Sequence, residues 1–136
     1  MLNLRKVTKS DSRFLYNLLK ERDSNTNISH KKMPSFSDHQ KFISSNPYSK
    51  WYIIEFKGKK SGSIYLSKQN EIGIFLKKSF QGKNLGQQSI ELLMKKHPKS
   101  RYLANINPKN KKSIKFFKNN GFNLIQYTFE LTPRNN

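Results

Sequence analysis

The chain has 136 residues, with 27 Lys plus Arg against 8 Asp plus Glu for a formal charge of +19, and that length predicts one domain over residues 1–136. It contains no Cys, which excludes a disulfide framework, a thiolate nucleophile and a zinc finger. No apolar run approaches the roughly 20 residues of a membrane-spanning helix, and Met1-Leu2-Asn3-Leu4-Arg5 lacks an apolar leader, so a soluble cytoplasmic protein is expected.

Leu2 and Leu4 alternate with polar residues, predicting a first strand that reaches toward Val7. Ser10-Asp11 is an N-cap signal, and Phe14, Leu15, Leu18 and Leu19 then share one helical face. The helix fades by Arg22-Asp23, and a polar connection over 24–36 ends in Met33-Pro34-Ser35. A second helix is expected from Ser35 or Ser37, with Asp38 in its first turn and Phe42-Ile43 inward, until Asn46-Pro47 stops it. Residues 51–56, 63–66 and 72–76 read as strands by their β-branched and aromatic content. Tight turns at Lys57-Gly58-Lys59 and Lys68-Gln69-Asn70 make them an antiparallel meander. A glycine-bearing loop over 77–86 feeds a helix with Leu85, Leu92 and Leu93 on one face, ending near His97-Pro98. Residues 102–106 read as a fifth strand, broken by Asn107-Pro108. Asn110 can cap a helix carrying Ile114, Phe116 and Phe117, and Gly121 stops it. Residues 122–125 and 128–131 are the last predicted strands, so the order is β-α-α-β-β-β-α-β-α-β-β.

The charge has two competing explanations. Nucleic-acid binding is one, and a basic nucleic-acid- or ribosome-associated module without catalysis is the corresponding function. However, only five basic residues are Arg, while Asn occurs 15 times, Ile 11 times, and Ala and Val once each. Lys, Asn and Ile have AT-rich codons, so genome base bias accounts for this composition without a ligand. Nucleic-acid readers also favour the bidentate fork of Arg. Tyr48, Trp51, Tyr52 and Tyr65 have the spacing of core and cleft lining rather than of a base-stacking platform. Nucleic acid is therefore not the expected partner.

The loop between residues 71 and 86 carries more information. A strand enters a loop with two glycines and a helix follows at once, which is the arrangement that offers unpaired N–H donors to a phosphate. Lys77, Lys78 and Lys83 surround it with positive charge. A plain β–α turn fits the same residues.

The segment Gln81-Gly82-Lys83-Asn84-Leu85-Gly86 resembles the acetyl-CoA signature R/Q-x-x-G-x-G/A of the GNAT N-acetyltransferases. Asn84 stands at the first required glycine; Asn tolerates positive φ better than most residues. Downstream, Asn110-Lys111-Lys112-Ser113, followed by Phe117 and Gly121-Phe122, is similar to the second family motif, N-x-x-A/S-x-x-x-Y/F-x-x-x-G-F.

The resemblance implies an α/β (α+β) GNAT fold: a central, mostly antiparallel mixed sheet of 6–7 strands, about four flanking helices, and splayed strands four and five. It implies an N-acetyltransferase that moves the acetyl group of acetyl-CoA directly to a primary amine, with no metal. The coenzyme residues so implied are Phe75, Leu76, Lys77, Gln81, Gly82, Lys83, Asn84, Leu85, Gly86, Gln87, Asn110, Ser113 and Phe117. Glu71 stands where relatives carry a catalytic glutamate. His39, in Ser37-Asp38-His39-Gln40-Lys41-Phe42, resembles a stretch of GNAT enzymes that acetylate nucleotide-linked amino sugars, which makes such a sugar the first acceptor class. The backbone N–H near Leu76 is the implied oxyanion donor. Phe117 replaces the Tyr that protonates the leaving thiolate in many relatives, and with Asn84 it leaves open a coenzyme-binding fold without catalysis. The oligomeric state is expected to be monomer or homodimer.

Overall fold

The computed structural model describes residues 1–22 and 32–134, so most of the polar connection expected over 24–36 lies outside the described residues. Period-two segments become β1 (Leu2–Lys6), β2 (Lys50–Phe56), β3 (Lys59–Leu66) and β4 (Ile72–Leu76). They pair antiparallel in the order β1-β2-β3-β4, with one register shift at Ile54/Glu55. The helices are α1 (Ser12–Lys20), α2 (Phe36–Ser44), α3 (Leu85–Lys96) and α4 (Lys111–Asn119). Ser35 caps α2 by accepting the N–H of Asp38 at 3.1 Å.

Strand alternation divides the chain between two layers. Tyr52, Ile54, Ile64, Leu66 and Ile72 face α3 and α4, where they meet Ile90, Leu93 and Phe117. The intervening residues face α1 and α2, where Ile53 packs with Leu15 and Ile43. The two layers are tied by polar anchors as well as by apolar burial. Asp11, fully buried, takes a two-point ion pair from Arg5 of β1 and a further bond from Lys60 of β3, each with a 2.8 Å contact. On the other face, the Tyr52 hydroxyl and His97 Nε2 share a 2.6 Å hydrogen bond at the end of α3. Burial, then the charges of Lys50, Lys99, Lys96 and Lys6, hold His97 below the usual imidazole value. No helix of the described residues is long and apolar enough to cross a membrane.

Among the described residues the sheet has four strands, not the expected 6–7. Residues 102–106 touch β4 through one parallel bridge, Glu71 to Leu103, made by Leu103 N–H to Asn70 O at 2.9 Å and Ile72 N–H to Leu103 O at 2.7 Å. Beyond that bridge the two segments make no further pairing among the described residues, at the place where a splay was expected. Residues 122–125 and 128–131 pair with nothing in the sheet among the described residues. Their strand-like alternation is real, but alternation specifies a face and not a partner.

Candidate active site

The loop after β4 is held by hydrogen bonds to β3, to the end of α1, to α4 and to its own backbone. Lys77 N–H reaches Ser61 O at 2.8 Å, Lys78 N–H reaches the Glu21 carboxylate at 2.9 Å, and Gln81 Nε2 reaches Leu76 O at 3.1 Å. Lys112 of α4 in turn donates to Gln81 Oε1 at 2.9 Å. Gly82 turns the chain at φ 79° and Asn84 at φ 60°, the left-handed conformation for which Asn is suited. The Asn84 side chain makes no capping bond, so it does not occupy the N–H groups of the first turn of α3. A Cβ on Gly82 would meet nothing within 4 Å, leaving the turn open to a ligand. Gly86 has a different reason: a Cβ there would lie 3.0 Å from the Phe116 ring, so glycine lets α4 close on the start of α3. With Lys77 and Lys83 beside these donors, the loop fits the pyrophosphate of a nucleotide coenzyme.

Other expected coenzyme residues divide by position. Leu85 is buried under the loop, and Phe75 and Leu76 form the end of β4 facing the splay. Asn110 accepts the Ser113 N–H at 3.2 Å and caps α4. Gln87 is exposed and donates to Glu91 at 3.1 Å along α3. Phe117 is 7% exposed and lies in the core between Phe116 and Phe122.

A cavity of about 220 Å³ lies between the sheet and helices α1 and α2, with Ser63, Tyr65, Gly73 and Phe75 on its sheet side. Its walls are aromatic. Tyr48 and Tyr65 stack at 3.8 Å and 5°, and Trp51 meets the edge of Tyr48 at 4.9 Å. The Arg22 guanidinium lies 3.4 Å above the Phe75 ring, and burial pushes it down to about 10, against the opposing effect of Tyr65 and Tyr48. Burial likewise raises the hydroxyls of Tyr48 and Tyr65, which stay neutral. Among the described residues the buried indole N–H of Trp51 has no hydrogen-bond acceptor.

The two expected catalytic residues fall in different places. His39 is 8% exposed and lines this cavity, packed against Tyr16 and Phe42. Glu71 sits on the same face of β4 at the apex of the splay, outside the cavity lining. Its carboxylate accepts from Ser67 Oγ at 2.9 Å and from the Asn105 amide. No group of three or more His, Asp or Glu side chains able to hold a metal ion gathers among the described residues. Sequence reasoning passed over Arg22 and Gly73. A glycine inside a strand was the available signal, since it marks close approach, here of the Tyr65 ring.

A family model described as an acetyltransferase (GNAT) domain matches residues 1–123. The chain belongs to the GNAT acetyltransferase family. It is an acyltransferase, and the co-substrate of this GNAT domain is acetyl-CoA. A domain from Methanocaldococcus jannaschii superposes with a TM-score of 0.81 at 23% identity, covering 96% of this chain and 93% of that one. RimL, a ribosomal L7/L12 alpha-N-protein acetyltransferase in complex with coenzyme A, gives 0.75 at 22% identity over 92% and 81%. Spermidine N-acetyltransferase SpeG from Vibrio cholerae gives 0.68 at 18% over 89% and 78%. At these identities the structures establish a common fold. No curated protein sequence matches this GNAT domain significantly.

Proposed function

We propose that this GNAT domain acetylates the primary amine of a small anionic acceptor, with a nucleotide-linked amino sugar as the first candidate. The observation that carries this reading is the Arg22 guanidinium fixed on Phe75 in the wall of the acceptor cavity. A cation there attracts a phosphate or carboxylate and opposes a polyamine. The unpartnered Trp51 N–H adds a donor for an acceptor oxygen. Among the described residues that line the cavity the one carboxylate is Asp38, and it is exposed. At about 220 Å³ the cavity is below the roughly 300–1,000 Å³ of sites that enclose a whole ligand. It therefore takes only the amine-bearing end, leaving the rest of the acceptor on the basic surface.

Acetyl-CoA supplies an acetyl thioester. The residues of the chain do the rest. Gly82, Lys83, Asn84 and the first turn of α3 hold the pyrophosphate, and the end of β4 at Phe75 to Lys77 guides the pantetheine arm. His39, an imidazole in the cavity lining, takes the amine proton directly or through one water. The backbone N–H near Leu76 receives the developing oxyanion. As the C–N bond forms, the C–S bond breaks and the thiolate leaves unprotonated, because Phe117 cannot donate. A thiol of pKa about 8.5 tolerates that. Glu71 positions the splay through Asn105.

Free-thiol release from acetyl-CoA, measured over nucleotide-linked amino sugars, serine-starting peptides and spermidine, is the test. Turnover is expected with the anionic acceptors. Spermidine as the best substrate, or a peptide amine alone, would overturn the acceptor reading.

A further inference from the structure

The coenzyme loop begins with a single 3₁₀ turn, Lys78–Phe80, directly after β4 and Lys77. A helical turn leaves its first N–H groups unpaired, and a side-chain oxygen at the N-cap commonly accepts one of them. Here the N-cap position is Lys77, whose ammonium cannot accept and which makes no capping bond. The missing oxygen comes from another element. Glu21, at the end of α1 and 57 residues away in sequence, accepts the Lys78 N–H at 2.9 Å. Glu21 is itself fixed as the C-cap of α1, its N–H reaching Asn17 O at 3.3 Å and Leu18 O at 3.2 Å. With Lys77 N–H on Ser61 O of β3, the entry to the loop is held by a strand and by a helix end.

Charge alone does not account for a carboxylate at this place. The chain has 8 acidic residues against 27 basic ones, and a negative group at a pyrophosphate loop opposes the ligand. The contact therefore acts through geometry. A backbone N–H held by a carboxylate makes a charge-assisted bond, stronger than a neutral one. It fixes Lys78, and with it the path of the chain into the turn at Gly82 and Asn84.

The next residue carries the same helix end to the acceptor cavity. Arg22 N–H bonds Leu19 O at 3.1 Å, and its guanidinium lies 3.4 Å from the centre of the Phe75 ring. Two consecutive residues thus serve two sites: Glu21 holds the coenzyme loop and Arg22 lines the acceptor cavity. Trp51, edge to face with Tyr48 at 4.9 Å, lines that cavity as well. It is the single tryptophan of the chain, so its emission reports on the cavity alone.

We infer that Glu21 is a positioning residue for the transfer reaction: it caps the coenzyme loop and makes the end of α1 an element shared by both substrate sites. This role rests on the reading of the loop as the seat of the coenzyme pyrophosphate. The probe is 3′-phosphoadenosine 5′-diphosphate, the nucleotide half of the coenzyme, which lacks the pantetheine arm and cannot reach the cavity itself. Titration calorimetry should show Glu21→Ala binding it about tenfold more weakly, because a bond to a charged acceptor is lost. Glu21→Gln should stay within about threefold of wild type, since its amide oxygen still accepts and the repulsion of the ligand is gone. At saturation, Trp51 emission should change in the wild type and in Glu21→Gln and stay flat in Glu21→Ala. A bystander charge gives another order, with both variants binding as well as wild type or better, and that result overturns the inference. A glutamine variant as weak as the alanine one overturns it too, as does a Trp51 response that persists in Glu21→Ala. A wild type that does not bind the diphosphate overturns the reading of the loop itself, and the role of Glu21 with it.

Discussion

Asn105 donates its side-chain amide to the Glu71 carboxylate across the apex of the splay, where Glu71 and Leu103 also make the parallel bridge. This contact joins β4 to the 102–106 segment beside their single bridge. Replacing Glu71 by Gln keeps the shape but substitutes a neutral acceptor for a charged one, a loss of about 1 kcal/mol at a half-buried site. The expected result is an approximately fivefold rise in the KM for acetyl-CoA with kcat little changed. A thousandfold fall in kcat with unchanged KM would instead make Glu71 the base.

His39 is the complementary case. It lines the acceptor cavity and carries the proton-accepting role in the proposed function. His39→Gln should lower kcat about 10²- to 10⁴-fold while acetyl-CoA binding, followed by calorimetry, stays within a factor of two. The limb of the pH–rate profile that reports the base should disappear with the side chain.

Asp11 joins β1, β3 and the start of α1 from a fully buried position, whereas the Arg5 and Lys60 side chains are 34% and 38% exposed. Burial opposes its charge, but the bonds from Arg5 and Lys60 and the Thr8 N–H prevail and hold its carboxyl well below the usual range. A carboxylate with a lowered native pKa stabilises the fold above its unfolded value of about 3.9, and that stability is lost as pH falls through the native value. Asp11→Asn should cost about 2–3 kcal/mol at neutral pH, discounted from a fully buried pair for the exposed partners. Thermal melts from pH 7 down to pH 2 should show the gap between wild type and variant shrinking as the medium becomes acid.

Asn84 adopts the left-handed conformation and its side chain makes no capping bond, so only its backbone matters to the coenzyme loop. Asn84→Gly is expected to leave acetyl-CoA affinity unchanged or slightly better. Asn84→Val brings a β-branched residue into a region that costs it about 1–2 kcal/mol, which corresponds to roughly tenfold weaker coenzyme binding. Titration calorimetry on both variants checks the pair.

The elements that sequence reasoning located are those whose cause is local. Period-two runs, the Ser35 and Asn110 caps and the Asn84 turn each depend on neighbours within a few residues, and each stands where expected. The absence of pairing beyond α4 among the described residues was not accessible in this way. Residues 124–131 have the composition of a strand, but whether they find a partner depends on a surface elsewhere in the fold. The acceptor cavity failed to emerge for the same reason. Arg22 closes a helix in sequence and Phe75 ends a strand more than fifty residues later, and nothing local says that one lies 3.4 Å above the other.

Gly73 sets the width of that cavity. A Cβ at this position would lie 2.1 Å from two ring carbons of Tyr65 and 2.4 Å from its hydroxyl, far inside any real contact. Tyr65 cannot retreat freely, because its other face is stacked 3.8 Å from Tyr48. Gly73→Ala must therefore break the stack or push β4 outward, an overpacking cost of about 1–3 kcal/mol. The coenzyme loop beyond Leu76 is not involved. Acceptor KM should rise at least tenfold while acetyl-CoA affinity holds, and a thermal melt should register the lost stability. Equal losses for both substrates would mean that β4 itself had moved, carrying the splay and the coenzyme site with it.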